Sequence, residues 1–292
     1  MLEHTVDPAS DPSRIVLLGA AGFVGGAIRR RVQQAGLSLL PLSSRDLDLV
    51  PADAAPKLSA TLADGDSVVL VSAIVPCKDG SSLIRNLRMI ENVCSALEGH
   101  EIAQLIYISS DAVYSDRDEL ITEDSAAAPQ TLHGAMHRTR ELLLTASVRA
   151  PVAVLRPSLL FGPGDPHNGY GPNRFRRSAA KDQRITLFGE GEEKRDHVFI
   201  SDVAEIVLRC LRCRSQGVLN IASGRSASFR VLAELVAALF ESSIELVPTP
   251  RRSPITHRHF DISGTLKAFP EFRFTALEEA LRHTHLAERE GS

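Results

Sequence analysis

Two histidines and a run of glycines are the residues of this 292-residue chain whose types and spacing bear most directly on chemistry. His133 and His137 stand four apart, the interval that sets two side chains on one face of a helix. Imidazole is the commonest general acid and base near neutral pH, so such a pair can move protons. The spacing also suits a metal, but the glutamate of H-E-x-x-H and a third ligand are missing, so no metal site is expected. The other feature is Gly19-Ala20-Ala21-Gly22-Phe23-Val24-Gly25, between an apolar run and an amphipathic one. Glycines in that place let the chain turn sharply, let backbone N–H groups approach a pyrophosphate, and let helix pack closely on strand. The context points to a dinucleotide held around Gly19, Gly22, Phe23, Val24 and Gly25, with a ligand-free glycine turn as the alternative.

The elements that must hold these groups follow a βαβ rhythm. Short apolar runs predict strands near 14–19, 38–43, 67–74, 102–109 and 152–156, and amphipathic stretches predict helices near 23–35, 52–63, 82–98 and 132–149. Strands that are apolar almost throughout are buried on both faces, which implies an α/β fold with a Rossmann-like, doubly wound parallel sheet. After Arg156 the sequence LRPSLLFGPGDPHNGYGPNRF is too rich in Gly, Pro, Asn and Asp for extended regular structure, and a loop-rich region begins. HVFI, SDVAEIVLRCLR and VLNIA then return to the sheet, followed by helices near 228–240 and 275–285. The expected layout is a disordered tail over 1–13, a dinucleotide-binding domain over 14–160 to which 196–222 returns, and a smaller discontinuous C-terminal cap, mainly substrate-binding, within 161–292.

Composition excludes several classes of protein. With 33 basic and 36 acidic side chains the formal charge is −3, so no strong field draws the chain to nucleic acid or an anionic membrane, and any bound anion must be held locally. Four cysteines are too few for a disulfide framework, and no apolar run reaches the roughly 18 residues of a membrane span. The residues before Arg14 lack the basic and apolar regions of a signal peptide, so a reducing cytoplasm is expected. Cys210-x-x-Cys213 has no second pair and reads as helix packing rather than redox or zinc chemistry.

The choice of nicotinamide cofactor turns on the residues about 20 positions past the glycines, where an NAD site usually carries an acid for the ribose 2′-OH. Here stand Ser43, Ser44 and Arg45, uncharged donors beside a guanidinium that suit a 2′-phosphate. NADP is slightly favoured; Asp46 as the ribose-binding acid, with Arg45 a solvated surface charge, keeps NAD open.

The G-x-x-G-x-x-G spacing resembles the short-chain dehydrogenase/reductase superfamily. YISSDAVY, LRPSLLFGPGD and GEGEEKRDHVFISDVA extend the resemblance to its extended branch, the NAD(P)-dependent epimerase/dehydratase family, which acts largely on nucleotide sugars. The match runs in order over nearly the whole chain after residue 13. It implies that Asp48 and Leu49 flank the adenine, that Val71, Ser72, Ala73 and Ile74 line the cofactor, and that Asn86 and Pro157 belong to the same site.

In that family a Ser or Thr bonds the reacting oxygen, a Tyr exchanges its proton, and a Lys lowers the Tyr pKa and binds the nicotinamide ribose. Ser110 fits the first role. Where P-x-x-x-Y-G-x-S-K-x-x-x-E is expected, this chain reads Pro129-Gln-Thr-Leu-His133-Gly134-Ala-Met-His137-Arg-Thr-Arg-Glu141, so both Tyr and Lys are histidine. A Tyr with a pKa near ~10 needs a neighbouring cation at neutral pH, whereas His starts near ~6.5 and does not. The functional reading makes His133 the proton carrier and His137 a ribose contact; the competing reading is a cofactor-binding or regulatory scaffold without turnover. Asp111 follows Ser110, but Ala112 stands where the family's dehydratases carry a second carboxylate, which argues for epimerisation or keto reduction over dehydration. On the substrate side the resemblance places Arg195 on a diphosphate, and a salt bridge to Glu193 or Asp196 is its structural alternative. Asn173, Arg174 and Arg184 in the cap segment, and Arg252 and Arg258 before HFDIS, are further candidates. The resemblance also implies a homodimer through the stripes of RNLRMIENVCSAL and RTRELLLTAS, which could equally be ordinary core faces.

Overall fold

The computed structural model describes residues 1–6, 9–116, 120–251 and 253–290. In chain order it contains β1 (Glu3–His4), β2 (Ile15–Leu18), α1 (Phe23–Gln34), β3 (Leu39–Leu42), α2 (Ala54–Ser59), β4 (Ser67–Leu70), α3 (Gly80–Leu97), β5 (Gln104–Ile108), α4 (Leu132–Ser147) and β6 (Val152–Pro157). There follow β7 (Leu159–Phe161), α5 (Pro172–Asp182), β8 (Arg184–Phe188), β9 (Lys194–Arg195), β10 (His197–Phe199), α6 (Ile200–Arg212) and β11 (Ser215–Ile221). The chain ends with β12 (Ala227–Ser228), α7 (Phe229–Ala237), β13 (Glu245–Thr249), α8 (Ser263–Ala268) and α9 (Leu277–Glu290).

Seven strands form the central sheet in the order β1-β11-β6-β5-β4-β2-β3, parallel except for β1. The period-two alternation of each strand divides its side chains between two cores. Ile15 and Leu17 of β2, Ile106 and Ile108 of β5, and Ala153 and Leu155 of β6 meet Ala27, Ile28 and Val32 of α1 and Val203, Ile206 and Val207 of α6. Val16, Leu18, Leu105, Tyr107 and Val154 point the other way, onto Leu58 of α2, Ile90, Val93 and Leu97 of α3, and Leu144 of α4. The result is a three-layer α/β/α sandwich, and the doubly wound expectation holds.

Chain order reverses between β2 and β4: β3 lies outside β2, and the chain then crosses back to place β4 on the opposite side. In open parallel sheets a crevice forms at such a switch point, beyond the carboxyl ends of the strands. The turn after β2 and the segment after β4 therefore meet there.

The N-terminal tail is not disordered over its described part. Glu3 and His4 pair with Gln216 and Ser215 at the edge of β11. His4 Nδ1 lies 2.9 Å from Ser215 Oγ and its Nε2 2.9 Å from the Ala268 carbonyl, while Thr5 and Val6 donate to the Cys213 carbonyl at 3.2 and 3.1 Å. The correction has a physical cause: β11 would otherwise present an unpaired edge, and the tail covers it.

Beyond the central sheet, α5, β8 and α7 pack around Tyr170, Phe175, Phe188 and Phe229, with Tyr170 stacked on Phe188 at 4.4 Å; this is the segment expected as a cap. Among the described residues no helix is long and apolar enough to cross a membrane, and no cysteine is in a disulfide.

Candidate functional site

A cleft of ≈ 1380 Å³ opens at the switch point and runs from the end of β3 past the glycine turn to the start of α5. Its cofactor-like end is built mainly from backbone. Gly19 has φ +97°, and Gly25 sits so close beneath it that an added Cβ would lie 2.1 Å from the Gly19 carbonyl oxygen. That contact brings the N-terminus of α1 onto the turn, and no acidic residue stands in the first helical turn to oppose an anion. Gly19, Gly22, Phe23, Val24, Ser43, Ser44, Asp48, Leu49, Val71, Ser72, Ala73, Ile74 and Pro157 all line the cleft. Gly25 supports the turn from behind. The missing Cβ of Gly25, the open helix end and the length of the cleft fit an extended dinucleotide.

Three of the expected cofactor residues sit differently. Asn86 is fully buried and does not line the cleft: its Oδ1 accepts from the Ile74 N–H at 3.0 Å and its Nδ2 donates to the Ile74 and Ser82 carbonyls. It clamps the 71–74 wall rather than facing a ligand. Arg45 is exposed beside the cleft. Asp46 accepts from the Ser43 hydroxyl at 2.6 Å and the Ser43 N–H at 2.8 Å, so its carboxylate is held low in pKa by Ser43 and turned onto the chain.

The opposite wall comes from α4 and from a single 3-10 turn at Asp111–Val113. Thr131 caps α4 by accepting from the Gly134 N–H at 3.1 Å. Gly134 lets the helix press on the turn, since a Cβ there would lie 2.0 Å from the Ala112 carbonyl oxygen. That approach brings His133 and His137 to the cleft together with Ser110 and Asp111. Ser110 Oγ accepts from the Ala112 N–H at 3.1 Å and donates a long bond to Asp111 Oδ1 at 3.5 Å, one that a ligand acceptor can replace. His133 is half-buried, its Nδ1 is buried without a partner, and its ring meets that of His137 edge to face at 4.8 Å. Burial lowers the His133 pKa, against a smaller upward pull from Asp111. His137 is held well below its ordinary value by burial, then by Arg140 and His133, and its Nδ1 lies 2.7 Å from the Tyr107 hydroxyl. Burial pushes Asp111 up while Arg258 opposes it.

The cap arginines do not line the cleft. Arg195 is paired with Glu193 at 2.6 Å and donates to the Thr256 carbonyl, so the salt-bridge alternative describes it. Arg258 reaches Asp111 Oδ2 at 3.0 Å and Asp116 Oδ1 at 2.6 Å. Arg184 opens β8 as an exposed residue, and Arg174 on α5 is half-exposed. These four depart from their expected place because carboxylates or solvent, not the cleft, face them. Asn173 does line it; its Nδ2 donates to the Gly162 carbonyl and Asp165, and its Oδ1 is buried without a partner. Arg252 lies outside the described residues.

Sequence reasoning passed over His197, Tyr107 and Arg140. His197 lines the cleft with both ring nitrogens lacking a side-chain or ligand partner, and burial lowers its pKa to about 4. Arg140 is fully buried beneath Tyr107. A charge on the inward stripe of α4, at positions 137, 140, 141 and 144, was the available signal.

A doubly wound sheet with a glycine turn at its switch point, facing two histidines across one cleft, defines a Rossmann-type α/β protein. Residues 15–222 match the NAD dependent epimerase/dehydratase family, and the chain belongs to it. It is 24% identical over 154 residues to an uncharacterized UDP-glucose epimerase of Bacillus subtilis (strain 168); the match spans 49% of this chain and about half, 48%, of that relative. Its fold is similar to a GDP-L-fucose synthetase from Naegleria fowleri, with TM-score 0.88 and 19% identity over 99% of this chain and 98% of the other. It is also similar to a UDP-glucose 4-epimerase of Thermus thermophilus in complex with NAD, with TM-score 0.85 and 21% identity over 96% and 100% of the two chains.

Proposed function

We propose that this protein is a nicotinamide-dependent oxidoreductase or epimerase acting at a hydroxyl or keto carbon of a nucleotide sugar, with histidine in the place of the family's tyrosine. The observation that carries the reading is His133: a half-buried imidazole kept neutral by its surroundings, with its Nδ1 unpartnered, lining beside Ser110 a cleft that begins at the glycine turn. Family membership and the nucleotide-sugar enzymes among the similar proteins support the substrate class.

The backbone of Gly19–Gly25 and the walls at Ser43–Ser44 and Val71–Ile74 would hold the dinucleotide, and the nicotinamide, when bound, supplies or receives a hydride. Ser110 exchanges its long bond to Asp111 for a hydrogen bond donated to the substrate oxygen and fixes its place. His133 removes the proton as a hydroxyl becomes a ketone, or returns it in the reverse direction; its lowered pKa keeps it in the base form at neutral pH. Asp111 does not serve as a second base, because Arg258 engages its carboxylate, and no carboxylate follows it. Elimination of water therefore lacks its base, and epimerisation or keto reduction remains. Asn173 Oδ1, buried and unpartnered, is the substrate contact on the cap side.

NADP(H) is the preferred cofactor, because the acid that would read a ribose 2′-OH, Asp46, is turned onto Ser43. A homodimer through α3 and α4 is supported by the exposed Ile84, Leu142 and Leu143 on their outer faces. The test is to titrate NADPH and NADH into the protein while following its melting, then to assay UDP- and GDP-sugars and their 4-keto forms. Stabilisation by a cofactor with turnover on at least one sugar is expected; stabilisation without turnover across the panel would leave a binding protein instead.

A further inference from the structure

The inward face of α4 carries charge where a helix core is ordinarily apolar. Glu141 is matched there by Arg156 at 2.7 Å, Arg138 at 3.1 Å and the Ser109 hydroxyl at 2.6 Å. Arg140 has no carboxylate partner among the described residues. Its guanidinium is fully buried, donates to the Ser72 carbonyl at 2.7 Å and to Asn86 Oδ1 at 3.2 Å, and sits 5.2 Å from the centre of the Tyr107 ring. The Tyr107 hydroxyl in turn lies 2.7 Å from His137 Nδ1, and His137 meets His133 edge to face. Arg140, Tyr107, His137 and His133 thus form one continuous stack from the core to the cleft.

The direction of the Tyr107–His137 bond follows from burial. The phenol is pushed up to about 12, so it keeps its proton, and His137 Nδ1 is the one hydrogen-bond partner of that hydroxyl among the described residues. A buried hydroxyl proton without an acceptor is costly, so Tyr107 donates and Nδ1 accepts. The ring proton of a neutral His137 then sits on Nε2, on a residue that lines the cleft while its Nδ1 faces Tyr107. A cation held at the Tyr107 ring strengthens this arrangement, because it polarises the phenol as a donor and opposes a second positive charge on His137.

We infer that Tyr107 and Arg140 are positioning residues that lock His137 as a neutral Nε2–H hydrogen-bond donor in the cleft, leaving His133 as the imidazole of the pair that takes up and releases protons. The inference rests on the proposed use of the two histidines, and it adds why the second can replace a cationic ligand-binding side chain: the fixed charge has moved back to Arg140, and what faces the cleft is a neutral donor. The charged and titratable groups around His137 agree with it. From α4 these are His133, Arg140 and Glu141; from β5, Tyr107; from β6, Arg156, which is consumed by Glu141; from α3, the half-buried thiol of Cys94, which acts on Arg140; and from the 3-10 turn, Asp111, which acts on His133.

The experiment is a long-range 1H–15N correlation spectrum of the full chain labelled at histidine, without cofactor or substrate, with His133→Gln and His137→Gln used for assignment. His137 should show an unprotonated Nδ1 and a protonated Nε2 from about pH 5 to 8, whereas His133 should titrate with a midpoint below about 6.5. Tyr107→Phe keeps the ring and removes the donor, and should convert His137 to a mixture of tautomers. Arg140→Met should raise the His137 pKa, with burial still holding it below its ordinary value. A protonated Nδ1 on His137 in the parent protein, titration of His137 in that pH range, or an unchanged tautomer in Tyr107→Phe would overturn the inference, and the parent spectrum decides even if a variant fails to fold. Because no ligand is present, these outcomes are separate from those of the cofactor and turnover assays, which test the functional reading alone.

Discussion

The histidines of α4 and the arginines of the cap are both polar groups that sequence reasoning placed in the site, and the fold leaves them in opposite states. His133 and His137 reach the cleft with ring nitrogens to spare, because Gly134 lets the helix press on the 3-10 turn and Tyr107 consumes only one nitrogen of the pair. Arg195 and Arg258 are spent on Glu193, Asp111 and Asp116. A guanidinium can serve a phosphate only if a carboxylate has not claimed it first. If the proposed function holds, unused hydrogen-bonding capacity at a buried edge marks the working wall of this cleft better than charge does.

The largest effect that can break this contrast is expected at His133. Replacing it with alanine should lower kcat by about 10²–10⁴, the usual worth of a general acid or base, while the melting temperature and cofactor affinity change little. A variant that keeps its kcat would return both histidines to the status of surface residues. Next in size is Arg258→Met, which leaves Asp111 without its cation. Removing one partner of a largely buried pair costs roughly 3 kcal/mol, read here as a shift of the denaturant midpoint, and Asp111→Asn in the same chain should recover part of it. If stability instead stayed level while substrate affinity fell, Arg258 would belong to the ligand and the contrast would fail.

Much of the frame could be read in advance, since strands buried on both faces are written as apolar runs: RIVLLG became β2 and IAQLIYISS became β5, within a residue or two. The glycine turn was legible for the same local reason, its strand and helix being adjacent in the chain. What escaped depends on partners that only the sheet order brings together. Arg258 meets Asp111 from 147 positions away, His4 meets Ser215 from 211, and Tyr107 meets His137 because β5 and α4 pack face to face. Arg140 read as one charge among three in RTRE, and nothing in that string reports that its side chain turns inward. The two histidines were visible as departures from a family pattern, but their proton positions were not, since those are set by neighbours on another element.

His197 extends the contrast to a histidine that is buried yet outside the proposed chemistry. Burial lowers its folded pKa from 6.5 to about 4. Between those values the unfolded chain binds a proton that the folded chain refuses, so stability falls as pH drops from about 6.5, and the loss from this residue approaches about 3 kcal/mol near pH 4. His197→Phe removes the group that must be charged, and chemical denaturation between pH 7 and 4.5 should show a shallower loss than in the parent. An identical slope would mean that His197 is protonated in the folded state, and so has an acceptor in the cleft.

The smallest expected effect tests the same rule at the cofactor end. Arg45 is exposed, and among the described residues its guanidinium has no ion pair, unlike Arg195 and Arg258. By the rule of unused capacity it should be free to meet a 2′-phosphate, while Asp46, bonded twice to Ser43, should not be free to meet a ribose hydroxyl. The charge works through solvent, so its worth is modest: Arg45→Ala should weaken NADPH by about fivefold and leave NADH within experimental scatter, and that difference should shrink as salt rises. Equal losses for both cofactors would show that Arg45 acts on something they share. No loss for either would detach the residue from the site and leave the preference for NADP(H) resting on the orientation of Asp46 and the donors of Ser43 and Ser44.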